Sequence, residues 1–390
     1  MKPSTLRQVA GNLAKGLINA AAARHLLPDF TLSAPPTDGI TAENCAREAF
    51  AFLTEISTGQ FIERSAPRTA DGHLHWKFRA WLQERIENSY VLVLRRGHVW
   101  GRLGAVFTPD NRLVWDVSRE FYVGHWSDHS AFFQLIGPAR RVRGRVAVLA
   151  TDGSHVFYHW MCDVLPRLRT LELSGDLPSI DKFIVDYRGL PFQRDTLAEL
   201  GVPLEKIIPA TDNRWFHIEA DELVVPSLPS RMNSVSPWAS DYLRDRFGQR
   251  SGAPRHLIYV SRQRAIGRRI RNEGEVCRVL EERGFRTIVL ESMPPIEQRL
   301  LFSQARVVIG PHGGGLTNVL FQQPGTALID LFAPGWVNPC FWTIADAGQV
   351  RYGYVIGPGD HYPEGVEGLS QGEDITVDLS ALDAALHGIV

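Results

Sequence analysis

The sequence predicts an α/β protein of two Rossmann-like domains facing a central cleft, with a partly β lead-in and an N-terminal helical extension. Three observations predict it. Short β-branched runs alternate with helical patterns over residues 146–225 and again over 257–356, the signature of βαβ units and parallel sheets. A Pro/Ser-rich stretch at 226–237 separates the two series. The chain has 390 residues, 44% of them hydrophobic, which exceeds the roughly 250–300 residues at which one core gives way to two.

Residues 1–27 carry Lys2, Arg7, Lys15 and Arg24 around an apolar stretch broken by Asn19. That stretch is too short to span a membrane and poorly shaped for a signal peptide, so it reads as an amphipathic helix. Packing on the protein body is its first role, and a peripheral membrane contact the alternative. A linker at 28–41 precedes a helical pattern over 42–54, and 55–85 has no clear period. From Tyr90 the pattern turns β, with strands at 91–94, 105–107 and 113–115, the last two flanking a Pro109-Asp110-Asn111 turn. Strand 146–150 then leads through a loop to a helix over 155–173 that Pro166 kinks. Strand 182–185, helix 193–200 and strands 206–208 and 223–225 complete the first series.

Helix 238–247 bridges to the second series. Its strands fall at 257–260, 287–290, 306–309, 327–332 and 350–356, with helices at 272–283, 296–304, after the glycines at 313–315, and at 338–347. A closing helix occupies 380–387. The organisation is therefore an extension and linker at 1–89, an acceptor domain at 90–236, a bridging helix and linker at 237–253, a nucleotide-sugar domain at 254–358, and a tail at 359–390.

Lys plus Arg (42) nearly cancels Asp plus Glu (43), so no overall field recruits nucleic acid. Cys45, Cys162, Cys277 and Cys340 lie far apart, all in predicted helices, which argues against a disulfide frame or a zinc knuckle and fits a reducing compartment.

Residues 309–318 read I-G-P-H-G-G-G-L-T-N. A strand that breaks into glycines and then opens a helix aims free backbone N–H groups and a positive dipole end at one point, which suits a phosphate. Gly313, Gly314 and Gly315 let the backbone approach the anion, and His312 adds a donor. Arg262, Arg264, Arg268, Arg269 and Arg271 follow the end of strand 257–260, where guanidinium forks pair with phosphate oxygens without a metal. Asn272, with Glu275 three residues on, forms an N-cap and capping box. His155, His159 and Asp163 fall at i, i+4 and i+8 of one helix, continued by Arg167. A histidine oriented by a carboxylate one turn away is a general-base arrangement; a salt-bridged surface face is the alternative. The D-x-D pattern that would hold a metal and a nucleotide sugar is missing from every predicted strand end, so no cofactor and no metal is expected.

Three segments in order, Y-H-W-M-C-D-V-L-P-R (158–167), Y-V-S-R followed by R-R-I-R-N-E (259–273) and G-P-H-G-G-G-L-T-N-V-L-F-Q-Q-P-G (310–325), resemble glycosyltransferase family 61 over roughly residues 90 to 360. The resemblance implies a GT-B-like fold, inverting chemistry and a nucleotide-sugar donor held mainly by the C-terminal domain. His159 and Asp163 match the family's His and Asp four apart, and the base role is assigned to that pair. Arg262, Arg268, Asn272 and Glu273 match its Arg and Asn-Glu positions, and His312, Gly313, Gly315, Thr317 and Asn318 its glycine-turn motif; with Gly314 these are the expected donor- and phosphate-binding residues. His155 matches none. The resemblance further implies a bacterial cytoplasmic member, at or near the inner face of the membrane, that transfers sugar to a glycan or lipid-linked glycan in capsule or other surface polysaccharide synthesis.

Two alternatives stand beside this reading. One is a non-catalytic nucleotide-sugar-binding subunit. The other is a metal-dependent hydrolase using His155, His159 and Asp163, although three ligands at successive i+4 positions spread over ~12 Å of helix.

Overall fold

The computed structural model describes residues 33–69, 72–210, 215–249, 252–368 and 370–389. The helix expected over 1–27 lies outside them. The chain forms two compact units, one of residues up to Thr58 with Asn88–Pro229, the other of Gly59–Glu87 with the chain from Ser230 onward. Among the described residues no helix is long and apolar enough to cross a membrane.

The first unit is built on a ten-stranded mixed sheet. Arg140–Val148, Lys182–Val185, Ile207–Pro209 and His217–Pro226 pair in parallel, as the alternating strand and helix patterns require. Val146, Ala147, Val148 and Leu223–Val225 are fully buried, because helices leave neither face of a parallel strand to water. On the other side, His217–Pro226 pairs antiparallel with Ser89–Arg95 and His98–Trp100, and the hairpin of Ala105–Phe107 and Leu113–Val114 extends the edge.

The helix expected over 42–54 is only Ala42–Cys45, capped by the Thr41 hydroxyl, and Ala51–Ser57 is instead a strand paired with Ser89–Arg95. A waiting strand edge overrides the weak helical pattern of a segment that carries Phe52, Thr54 and Ile56. Past it, 59–87 holds the antiparallel pair of Gln60–Glu63 and Gln83–Ile86, and between them a strand at Arg68–Thr69 and a short helix, Trp76–Ala80. The segment expected as a helical extension thus carries more strand than helix where it is described.

The second unit has a six-stranded, wholly parallel sheet in the order Arg286–Ile288, His256–Val260, Ala305–Pro311, Ala327–Phe332, Arg351–Ile356, Arg68–Thr69. Leaving out the added edge strand 68–69, that is the doubly wound order 2-1-3-4-5. Val307–Ile309 and Leu328–Ile329 have no exposed surface, each side chain contributing ~1.5–3 kcal/mol by burial. Helix Pro237–Phe247, expected as a bridge, packs in this unit; Arg244 donates to the Leu320 and Ile344 carbonyls. The closing helix, Leu379–Ile389, lies on strand Arg351–Ile356.

Candidate active site

In a 2-1-3-4-5 sheet the topological switch lies between the first and third strands, here His256–Val260 and Ala305–Pro311, and ligands bind beyond their carboxyl ends. Both predicted anion-binding segments leave from those ends. Arg262 follows the first strand, and the glycine turn follows the third.

The two segments meet. A Cβ added to Gly313 would lie 2.0 Å from Nη1 of Arg262, so a side chain there would displace the guanidinium. Arg262 donates from Nη2 to the Gly267 carbonyl at 3.1 Å, while its Nε is buried without a partner. Burial, then the neighbouring charge of Arg268, pushes its pKa down to about 10. Arg268 itself sits 5.2 Å above the ring of Trp336, and burial lowers its pKa as well. Among the described residues neither guanidinium forms an ion pair with a carboxylate. Both cations are desolvated, and the charge of Arg268 further depresses Arg262.

After the turn the chain forms a 3-10 helix, Gly314–Phe321, where an α-helix was expected. Its first N–H groups still lack partners from the helix itself. Thr317 Oγ1 and Asn318 Oδ1 are buried and unpartnered, whereas the Asn318 amide nitrogen donates to Gln298 Oε1 and the Gly315 carbonyl, both at 3.0 Å.

His312 is placed otherwise than expected. Its ring is buried between Phe332 and Phe341, with Nδ1 2.8 Å from Asp330 Oδ2 and Nε2 3.8 Å from Cys340 Sγ. Tyr352 donates to the same Asp330 oxygen at 2.9 Å. Burial lowers the His312 pKa and raises that of Asp330. With both nitrogens engaged, His312 braces the turn instead of offering a donor. Asn272 and Glu273 are likewise occupied. The Asn272 side chain does not cap its helix but clamps the Val377 backbone, donating at 2.9 Å and accepting at 3.0 Å, and Glu273 accepts from the Tyr259 hydroxyl at 2.9 Å.

In the first unit, strand Arg140–Val148 runs into a loop at 151–154, a single α-turn at Phe157–His159, a π-helical stretch at Trp160–Val164 and an α-helix at Pro166–Ser174. The expected continuous helix is widened in its middle: Leu165 N–H reaches back five residues to the Trp160 carbonyl at 3.1 Å. Such π-turns are frequent at functional sites. Here the turn carries Asp163, whose Oδ2 lies 2.7 Å from His159 Nδ1, while Arg119 donates to Oδ1 at 3.3 Å. Burial pushes the Asp163 carboxyl up, but His159 and Arg119 together outweigh it and hold it below the usual carboxylate range. An ionised Asp163 fixes the tautomer: Nδ1–H of His159 donates to it and Nε2 keeps a lone pair. Phe121 packs on the imidazole at 4.9 Å, and Gly153 stands close behind it.

His155 leaves the predicted row. It lies in the turn before the helix, with Nδ1 3.3 Å from Arg102 and 3.5 Å from buried Asp186. His155, His159 and Asp163 therefore do not form one ligand set, which corrects the hydrolase alternative. Among the described residues no group of three or more His, Cys, Asp or Glu side chains is arranged to hold a metal ion. Arg167, which continues the predicted row, is buried and ties two strand ends together through the Ala150 and Pro226 carbonyls.

Sequence reasoning missed Arg119, Gly153, Asp330 and Trp336. Only Asp330 carried a signal, as a lone acid in the apolar run 327–332.

Residues 157–329 match the family described as Glycosyltransferase 61. That span encloses His159, Asp163, Arg262, Arg268 and the glycine turn. No curated protein matches the chain. Among solved structures, the chain is similar to the crystal structure of the bacterial iron-containing dodecameric glycosyltransferase TibC from enterotoxigenic E. coli H10407, at 11% identity, with 85% of this chain and 87% of that one covered and a TM-score of 0.32, a likeness too distant to argue from.

Proposed function

We propose that this chain, which belongs to the glycosyltransferase 61 family over residues 157–329, is an inverting transferase that moves a sugar from a nucleotide-sugar donor to a glycan or lipid-linked glycan. Building a bacterial surface polysaccharide is the process that such chemistry serves. The observation that carries the reading is the contact between Arg262 and Gly313 at the switch point of the second sheet, with Arg268 beside it.

The donor's diphosphate takes the place of the missing counterion to the two guanidinium groups. An acceptor hydroxyl attacks the anomeric carbon, and its proton passes to Nε2 of His159. Asp163 holds the imidazole and stabilises the imidazolium, help worth about 10²–10⁴-fold. As the new C–O bond forms, the anomeric C–O bond to phosphate breaks, and its electron pair stays on the diphosphate. Arg262, Arg268 and the N–H groups of Gly314 and Gly315 stabilise that charge, the electrostatic part of catalysis. Since two guanidinium groups supply the positive charge, transfer is proposed to need no metal ion.

Calorimetric titration of nucleoside diphosphates into native protein and Arg262→Ala tests the reading. Binding that weakens at least tenfold in the variant supports it, and unchanged affinity contradicts it. Activity that EDTA abolishes and manganese restores would overturn metal independence alone.

A further inference from the structure

A second feature of the same unit lies one aromatic ring away from the arginines. The loop after strand Ala327–Phe332 places Trp336 beneath Arg268 and edge-on to His312, their centroids 5.1 Å apart. Trp336 also lines a cavity of about 240 Å³, which His75 and Trp76 of the 59–87 excursion and Tyr362 complete. That volume lies below the ~300–1,000 Å³ of pockets that take whole drug-sized ligands, and suits one ring system.

Charge separates this cavity from the anion site. Lys77 and Arg79 at its wall are paired with Glu367, at 2.7 Å, and with Glu364, so they offer little to a phosphate. Among the described residues Arg262 and Arg268 have no such partner. Four aromatic rings with compensated charges favour a flat, uncharged group that stacks. His75 adds directional hydrogen bonding. Its Nδ1 accepts from the Lys77 N–H at 3.3 Å, which leaves the proton on Nε2, and burial lowers its pKa to about 4, so the ring is a neutral donor at physiological pH.

Position in the chain points the same way. Arg262, Arg268 and the glycine turn lie inside the family-matched span 157–329, whereas every residue lining the cavity lies outside it. We infer that the cavity is the nucleobase subsite of the donor, in which Trp76, Trp336, Tyr362 and His75 select the nucleotide by stacking and one hydrogen bond. The inference rests on the diphosphate reading of the arginines.

Titration of the full chain with UDP, GDP, CDP, ADP and inorganic pyrophosphate tests it. Native protein is expected to bind one nucleoside diphosphate at least tenfold more tightly than pyrophosphate. Trp76→Ala should remove most of that advantage and leave pyrophosphate affinity unchanged, while Arg262→Ala should weaken both ligands. Tyr362→Ala, at a more exposed position, repeats the test should Trp76→Ala fail to fold. If both aromatic variants keep the full preference while pyrophosphate still depends on Arg262, the nucleobase subsite is wrong and the diphosphate reading stands. If neither ligand binds, or if Arg262→Ala affects neither, the diphosphate reading fails and the subsite with it.

Discussion

Asp163 accepts from His159 at one carboxylate oxygen, 2.7 Å away, and from Arg119 at the other, 3.3 Å away. The buried charge fixes the imidazole tautomer, so Asp163→Asn should keep the shape of the site and lower turnover by about 10²–10⁴-fold, as measured with the identified donor. The same substitution should alter acid unfolding. A carboxyl whose folded pKa lies below its ordinary 3.8 contributes stability that is complete above that value and lost as pH falls through the folded one. Denaturant titrations at decreasing pH should show a shallower acid decline for Asp163→Asn than for native protein.

Gly153 stands at φ +76°, and a Cβ there would lie 2.5 Å from Cδ2 of His159. Gly153→Ala should therefore cost roughly 1–2 kcal/mol in stability and push the imidazole off Asp163. Turnover should fall while calorimetry finds diphosphate affinity unchanged.

Gly313 and Gly314 are adjacent but differ in what surrounds them. A methyl group on Gly313 meets the Arg262 guanidinium, whereas one on Gly314 meets no protein atom within 4 Å. Gly313→Ala should weaken diphosphate binding through the displaced arginine, in the direction of Arg262→Ala. Gly314→Ala should leave the melting temperature unchanged and weaken binding only through direct obstruction of the anion.

Half-buried His98 and buried His217 are hydrogen-bonded to each other in the first unit. Nδ1–H of His217 donates to the Gly137 carbonyl at 2.9 Å, which leaves its Nε2 to accept from His98 Nδ1–H at 3.1 Å. A proton on Nε2 would face another N–H. Burial accordingly lowers the His217 pKa from 6.5 to about 4. A base whose folded pKa is depressed gives full stability above the unfolded value and loses it as pH falls from 6.5 towards 4, by about 3 kcal/mol at most. His217→Gln, which still can donate to Gly137, should flatten that decline in denaturant titrations.

Much of this was legible because parallel strands write themselves as continuous apolar runs. Val146–Val148 and Val307–Ile309 are buried on both faces, so nothing polar interrupts them. The contact of His159 with Asp163 follows from one turn of spacing, and Gly313 leaves room for the close approach of the Arg262 guanidinium. What escaped depended on partners distant in sequence. Strand Ala51–Ser57 is dictated by the edge it joins, at Ser89–Arg95. Arg119 reaches Asp163 across 44 residues, with no local pattern to announce it. His155 precedes the helix whose face its spacing suggests, and the nitrogens of His312 are taken by Asp330 and Cys340, 18 and 28 residues away.

In the proposed transfer the second unit holds the donor's diphosphate, and the first removes the acceptor's proton. Turnover and donor affinity of His159→Ala, measured side by side, test it most directly. Affinity equal to that of native protein with turnover lowered by about 10²–10⁴-fold is the predicted result. Undiminished turnover would contradict it, since the imidazole would then take no part in the transfer.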